Sequence, residues 1–304
     1  MMGFIASLGC LLRWSLLSPR HPLRILLAFA KSLYFDLSMQ TVLTIAGFDP
    51  SSGAGVTADL MVFAAHGLFG VSCITALTVQ STTGVAATHP IAAEVVRATL
   101  DCLRADLPLA GIKIGMLSTA LNIAAVADFV TSLRDEGRRA PVVLDPVLRS
   151  SSGRELLDAD GVRLLRERLL PLVDWVTPNL DELGALTERS VVGRDDVAAA
   201  AAALQRRGSN LNVLATGGHL NPPDDLVLSA SGELRWLAGE QIVTRSTHGT
   251  GCALSSALLS RIVLGDDAIA ASVAAKSYVA EAIRSAPPLG HGHGPINHLW
   301  PLGR

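Results

Sequence analysis

The reading of the fold turns on "TVLTIAGFDPSSGAGVTADLMVFAAHG", Thr41 to Gly67. TVLTIAG (41–47) is a near-continuous run of apolar and β-branched residues, the pattern of a strand covered on both faces. A loop rich in glycine and serine follows. VTADLMVFAAHG (56–67) then reads as a helix closed by a glycine. A strand passing through a short loop into a helix is the first half of a βαβ unit.

The same alternation continues along the chain. Strand-like runs recur at VSCITALTVQ (71–80), GIKIGM (111–116), PVVLDPV (141–147), DWVTP (174–178), NVLATGG (212–218) and DLVLS (225–229). Helical patterns fall between them at AAEVVRATLDCL (92–103), LNIAAVADFVTSLRDEG (121–137) and DVAAAAAALQRRG (196–208). Gly67, Gly137 and Gly208 stand where left-handed C-caps are expected. The expectation is an α/β fold with a mostly parallel central sheet and helices on both faces. No repeat or linker divides 39–304, which reads as one domain.

The composition suits that class. The chain has 304 residues, 49% hydrophobic and 17% charged, and a formal net charge of −2. Without a basic excess, nucleic acid and anionic membranes are poor partners. Lys31, Lys113 and Lys276 are the only lysines, so an anion site is expected to use arginine or backbone N–H groups. Cys10, Cys73, Cys102 and Cys252 form no C-x-x-C pair and imply no disulfide framework, which points to a reducing cytoplasm.

Residues 1–38 differ. "CLLRWSLLSPRHPLRILLAFAKSLYFDLS" (10–38) breaks its leucines with Arg13, Arg20, His21 and Arg24. Its apolar runs fall short of the roughly 20 residues of a membrane-spanning helix, and no clean signal-peptide core stands before a cleavage site. The segment is expected to lie outside the fold, or to reflect a start upstream of Met39. An arginine-bearing targeting segment is the competing reading.

In open α/β sheets, ligands bind beyond the carboxyl ends of the strands. After the first strand, Gly47, Gly53 and Gly55 permit close backbone approach in a loop that is neither a Walker A sequence nor G-x-G-x-x-G. Asp59 follows in the first turns of the helix, as a site residue or as a charge favoured by the dipole. Gln80 ends the second strand and either reads a ligand's edge or satisfies loop backbone. Asp145, in DPV, stands where a carboxylate holds Mg²⁺ or where Asp-Pro makes a turn. Asn179 to Glu182 has the N-x-x-E spacing of a capping box. The strongest stretch is THGTGCALSSALLSRIVLG (247–265). Gly249 and Gly251 permit an anion-holding nest, and a helix from about Cys252 adds its positive end. That dipole is expected to lower the Cys252 pKa. The alternative makes Cys252 a small buried hydrophobe.

Taken together, "LTIAGFDPSSGAGVTADLMVFAAHGLFGVSCITALTVQSTTGV", "IKIGML", "VVLDPV", "TPNLDE", "GGH", "THGTGCALSSA" and "GHGPINH" resemble, in order, the hydroxymethylpyrimidine/phosphomethylpyrimidine kinases of thiamine biosynthesis, in the ribokinase-like superfamily. The resemblance covers essentially 41–298. It implies a three-layer α/β/α domain that uses ATP and Mg²⁺ to phosphorylate hydroxymethylpyrimidine and then its monophosphate, as a homodimer. It places Gly47, Asp59, Gln80 and Met116 around the pyrimidine. Gly249, Thr250, Gly251 and Cys252 would form the anion hole, with Cys252 as base. Asp145 and Glu182 would organise Mg²⁺, and Asn179, Thr216 and Gly218 the nucleotide. The family's K-G-G-H reads Thr216-Gly217-Gly218-His219 here, and Arg245 is expected to replace part of the missing charge. His291, His293 and His298 belong to the family's ordinary ending and are not read as zinc ligands. Pyridoxal kinase and a catalytically weak pyrimidine-binding regulator are the alternatives.

Overall fold

The computed structural model describes residues 39–150, 153–218 and 220–303. The expectations for residues 1–38 and for His219 fall outside these. The unit Gln40–Arg304 holds every strand and helix of the described residues.

The strands are β1 (Thr41–Phe48), β2 (Phe69–Ser81), β3 (Gly84–Pro90), β4 (Leu109–Ile114), β5 (Val142–Leu144), β6 (Trp175–Val176), β7 (Asn212–Ala215), β8 (Asp225–Leu228) and β9 (Leu234–Leu237). They form one sheet in the order β3-β2-β1-β4-β5-β6-β7-β8-β9. The pairings from β2 through β7 are parallel, and the outer β2–β3, β7–β8 and β8–β9 pairings are antiparallel. The longer helices are α1 (Gly55–Ala65), α2 (Ala93–Asp106), α3 (Ala120–Asp135), α5 (Leu180–Thr187), α6 (Arg194–Gln205), α7 (Thr250–Val263) and α8 (Ala268–Arg284). Between β5 and β6 lies the short α4 (Ala159–Leu164), which runs on through a π turn and a 3₁₀ turn to Leu172.

Successive strand residues point to opposite faces, and two cores result. Leu43, Ile45, Val142, Leu144, Val213 and Leu226 face one, which α2, α3, α5 and α6 cover through residues such as Leu100, Val126, Leu183 and Ala201. Val42, Val143, Leu214 and Val227 face the other, closed by Phe63 of α1, Leu258 of α7 and Ala275 of α8. Burial on both faces explains the unbroken apolar runs in the sequence.

Three expectations need adjustment. β3 and β9 are edge strands with largely exposed or half-buried side chains, so neither shows an apolar run. Gly67 and Gly137 take the left-handed cap conformation, with φ of 76° each, whereas Gly208 is not among the positive-φ glycines. The helix of the 247–265 stretch begins at Thr250, with Gly249 as its N-cap, rather than at Cys252.

Candidate active site

The loops beyond the carboxyl ends of β1, β4, β5, β6 and β7 open into one cleft of about 1740 Å³, with the start of α7 on its floor. Gly47, Gln80, Met116, Asp145, Asn179, Glu182, Thr216 and Gly218 all line it, as do Gly249, Thr250, Gly251 and Cys252. Asp59 and Arg245 do not.

The expected nest turns on a backbone conformation that glycine alone takes without strain here. Gly249 sits at φ 88°, and a Cβ there would lie 1.7 Å from the Gly53 carbonyl oxygen. Folding back in this way aims the first free N–H groups of α7 toward the cleft. At Gly251 an added Cβ would meet only Asp145 Oδ2, at 3.9 Å. The space beside Gly251 is therefore open toward Asp145.

Asp59 is completely enclosed beneath this floor. Its Oδ2 accepts from Thr44 Oγ1 at 2.6 Å and Lys113 Nζ at 2.9 Å, and its Oδ1 from Ser256 Oγ at 2.7 Å. This corrects the expectation that Asp59 meets a ligand: both oxygens are engaged inside the protein. Lys113, which no sequence motif marks as a site residue, is equally enclosed. Its Nζ stands 4.0 Å from Asp145 Oδ2. Burial alone would strip its proton, but the surrounding negative groups, Asp59 first, hold its pKa above the ordinary lysine value. A fixed cation therefore lies under the nest. The available signal was a lysine between isoleucines in GIKIGM: a buried amine in such a run must have a paired acid.

The Cys252 thiol also differs from expectation. Burial pushes it up to about 12, opposed by the Lys113 charge and the Gly55 N–H and reinforced by Asp145 and Asp59. Loss of water and two nearby carboxylates set the direction of the shift. Cys252 stays partly exposed on the cleft floor, and its thiol hydrogen-bonds to Asp145.

Asp145 and Glu182 are both buried. Burial raises the Asp145 pKa; Lys113 lowers it, Asp59 raises it, and hydrogen bonds from Ser255 and Cys252 lower it. Glu182 is pushed up to about 8 by burial and by the Asp145 charge, against the backbone N–H groups of Asn179 and Leu148. The capping box forms: Asn179 Oδ1 accepts from Glu182 N at 2.9 Å, and Glu182 Oε2 from Asn179 N at 3.0 Å. Capping and cleft lining thus coincide in the same two residues.

At the far end, Thr216 N donates to the Pro178 carbonyl at 2.9 Å. The Thr216–Gly218 loop is tied down by Asp225, whose Oδ1 accepts from Gly217 N at 2.9 Å and whose Oδ2 accepts from Lys276 Nζ at 2.7 Å. Arg245 is exposed outside the cleft, with its carbonyl accepting from Gly294 N. The expectation that Arg245 supplies the missing charge is corrected: Lys276, on α8, is the cation that lines the cleft beside this loop. His293 Nδ1 meets Thr247 Oγ1 at 3.3 Å, and His298 Nε2 meets the Gly53 carbonyl at 2.9 Å. Among the described residues no group of three or more His, Cys, Asp or Glu side chains is arranged to hold a metal. No helix of the described residues is long and apolar enough to cross a membrane.

One mostly parallel sheet between two layers of helices is the fold of the ribokinase-like small-molecule kinases. The family model for phosphomethylpyrimidine kinase matches residues 49–297, and the chain belongs to that family. It is 44% identical to the hydroxymethylpyrimidine/phosphomethylpyrimidine kinase of Rhizobium meliloti, over 84% of this chain and 96% of the relative. It is 40% identical to the thiamine biosynthesis bifunctional protein ThiED of Geobacter sulfurreducens over 85% of its own length, but spans only 52% of that protein. The crystal structure of phosphomethylpyrimidine kinase from Clostridium difficile superposes with a TM-score of 0.70 at 33% identity, covering 80% of this chain and 99% of that one. An ADP complex of Bacillus subtilis pyridoxal kinase gives 0.75 at 29% identity, covering 86% and 98%.

Proposed function

We propose that residues 39–304 transfer the terminal phosphoryl group of ATP to 4-amino-5-hydroxymethyl-2-methylpyrimidine and then to its monophosphate, giving the diphosphate for thiamine biosynthesis. One observation carries this reading: Gln80 and Met116 share a cleft with Gly249–Cys252, and the buried Lys113 cation stands 4.0 Å from Asp145 on the same cleft. In each step a P–O bond of ATP breaks and a new one forms to the acceptor oxygen. Charge developing on the transferring group is what preorganised N–H groups and a fixed cation stabilise.

Gln80 and Met116, with Gly47, hold the pyrimidine. Gly249, Thr250 and Gly251 receive the phosphoryl oxygens. Cys252 is the base beside the attacking hydroxyl and accepts its proton as the thiolate, the form that the Lys113 charge favours and burial opposes. Asn179, Thr216, Gly218 and Lys276 face the nucleotide. Asp145 and Glu182 fit Mg²⁺: they are oxygen donors, and each carboxyl is raised by burial, a strain that a hard cation relieves. When bound, that ion supplies neutralisation of the nucleotide phosphates.

Leu77 and Val79 of β2, 43% and 53% exposed, form an apolar stripe that a second copy would cover, in keeping with a homodimer. Free thiols at Cys73, Cys102 and Cys252 suit a reducing cytoplasm. Pyridoxal is the second acceptor to weigh, on the likeness to the pyridoxal kinase fold. A non-catalytic regulator is disfavoured, because Lys276 keeps a cation in the cleft beside Thr216. An ATP-consumption assay with hydroxymethylpyrimidine, its phosphate and pyridoxal side by side is the test. Turnover of pyridoxal with none of either pyrimidine would overturn the reading.

A further inference from the structure

One ring nitrogen of His248 stands between two side chains. Its Nε2 is 2.7 Å from Asp49 Oδ2 and 3.0 Å from Gln80 Nε2. Asp49 also accepts from the Ser51 N–H at 2.9 Å, the Ser51 hydroxyl at 2.7 Å and the Ala54 N–H at 3.0 Å. A carboxyl receiving this many donors is the ionised, acceptor-only form. Its pKa agrees: burial raises it, but the hydrogen bonds from His248 and Ser51 bring it below the ordinary value. The proton between Asp49 and His248 therefore resides on Nε2.

A Gln80 nitrogen facing that N–H sets one donor against another. The two ends of a glutamine amide have the same shape and are told apart by their partners. Thr78 Oγ1 lies 3.2 Å from the other end of the amide, and it gives its own proton to the Phe48 carbonyl at 3.0 Å. It can only accept from Gln80. With the amide turned by half a rotation, Gln80 Nε2 donates to Thr78, and Gln80 Oε1 shares the single His248 Nε2–H with Asp49 Oδ2 in a three-centre bond. Each donor then meets an acceptor.

We infer that the Asp49–His248 pair is a positioning device that locks the Gln80 oxygen toward His248 and its nitrogen toward Thr78. The lock fixes the register in which the cleft reads an amidine edge, a ring nitrogen beside an exocyclic amine. An unlocked glutamine would turn over and accept that edge in either sense, or an edge lacking the amine. The inference rests on the proposed pyrimidine acceptor and assigns a specificity role to two residues that the site's chemistry does not otherwise use. His248 is also tightly seated, since a Cβ added at Gly53 would lie 2.1 Å from its ring.

The test has two arms. In kinetics, His248→Ala is expected to raise the KM for hydroxymethylpyrimidine about tenfold, the loss of one neutral hydrogen bond, while the KM for ATP stays within about twofold. The preference for the pyrimidine over pyridoxal, which lacks the amidine edge, falls by about the same factor. His248→Gln, which keeps an N–H donor near the Nε2 position, recovers most of both. Equal losses on both acceptors, or an ATP KM that rises alongside, would overturn the inference. In structure, neutron diffraction of the unmodified protein should show deuterium on His248 Nε2 shared between Asp49 Oδ2 and the Gln80 oxygen. Nitrogen facing that deuterium overturns the lock whichever acceptor is phosphorylated. A failure to phosphorylate either pyrimidine would count against the proposed function instead, and the neutron result would still decide the lock.

Discussion

Lys113 Nζ and Asp59 Oδ2 stand 2.9 Å apart, with both side chains wholly enclosed beneath the anion nest. A buried pair of this kind costs desolvation to form and more to break. Lys113→Met should cost about 3–5 kcal/mol, because it leaves an uncompensated carboxylate in the core. Adding Asp59→Asn, which keeps an acceptor for one of the Thr44 and Ser256 hydroxyls and turns an amide N–H toward the other, should return part of the stability. Turnover should stay low in the double variant, since the cation under the nest is gone. Urea unfolding and steady-state kinetics check both halves. A single Lys113→Met variant of normal stability would rule out the pair's structural role.

Gln80→Leu should weaken hydroxymethylpyrimidine binding by roughly 5- to 150-fold, equivalent to about 1–3 kcal/mol for leaving the ligand's polar edge unpaired. Gln80 is only half-buried, so the melting temperature should change little. Calorimetric titration of the variant measures the loss, and unchanged affinity in a folded protein rejects the assignment.

Cys252 should resist alkylation in the free protein. With its thiol pushed up to about 12, the thiolate fraction near neutral pH falls about a thousandfold below that of an ordinary cysteine. Iodoacetamide at pH 7.5 should label the exposed Cys102 first, as peptide mass spectrometry would show. Cys252→Ala should lose about 10²–10⁴-fold in turnover if the thiol moves the proton, and Cys252→Asp should retain more activity than alanine. Near-normal turnover in the alanine variant removes the base role.

The ligand-free protein should lose stability as pH rises from about 4.5 to 8. Glu182 has its carboxyl raised to about 8 in the fold against an ordinary 4.5, so the folded state binds more protons than the unfolded one across that window. The contribution is present below the lower value and lost as pH passes the upper. Mg²⁺ with ADP should therefore raise the melting temperature more at pH 8 than at pH 5. Thermal melts with Glu182→Gln as control test this; a flat profile in the wild type, or an unchanged slope in the variant, speaks against it.

Deleting residues 1–38 should leave kinase activity and folding intact, because β1 starts at Thr41 and the unit from Gln40 holds the cleft. Expression of the shortened chain as an unfolded or inactive protein would show otherwise.

The strand and helix order, the parallel sheet and the cleft at its carboxyl edge were legible along the chain. Each rests on local signals: apolar runs at 41–47 or 212–215, and the glycines at 249 and 251 that let a helix start fold around an anion. β3 and β9 left no such trace, because at the ends of the sheet their side chains stay largely exposed or half-buried. The sequence also supplied the residue types of the site, and Gln80, Met116, Asp145, Glu182 and Cys252 do meet in one cleft. Which charges surround them was decided only by the tertiary structure. Asp59 meets Lys113 and Ser256, and Asp49 meets His248, across separations of 54, 197 and 199 residues, and no local period encodes such pairings. The Cys252 pKa followed the same rule. A helix dipole can be read from a glycine pair and a start signal, but desolvation depends on everything that packs around the thiol. In this fold, burial sets the direction of the thiol's pKa.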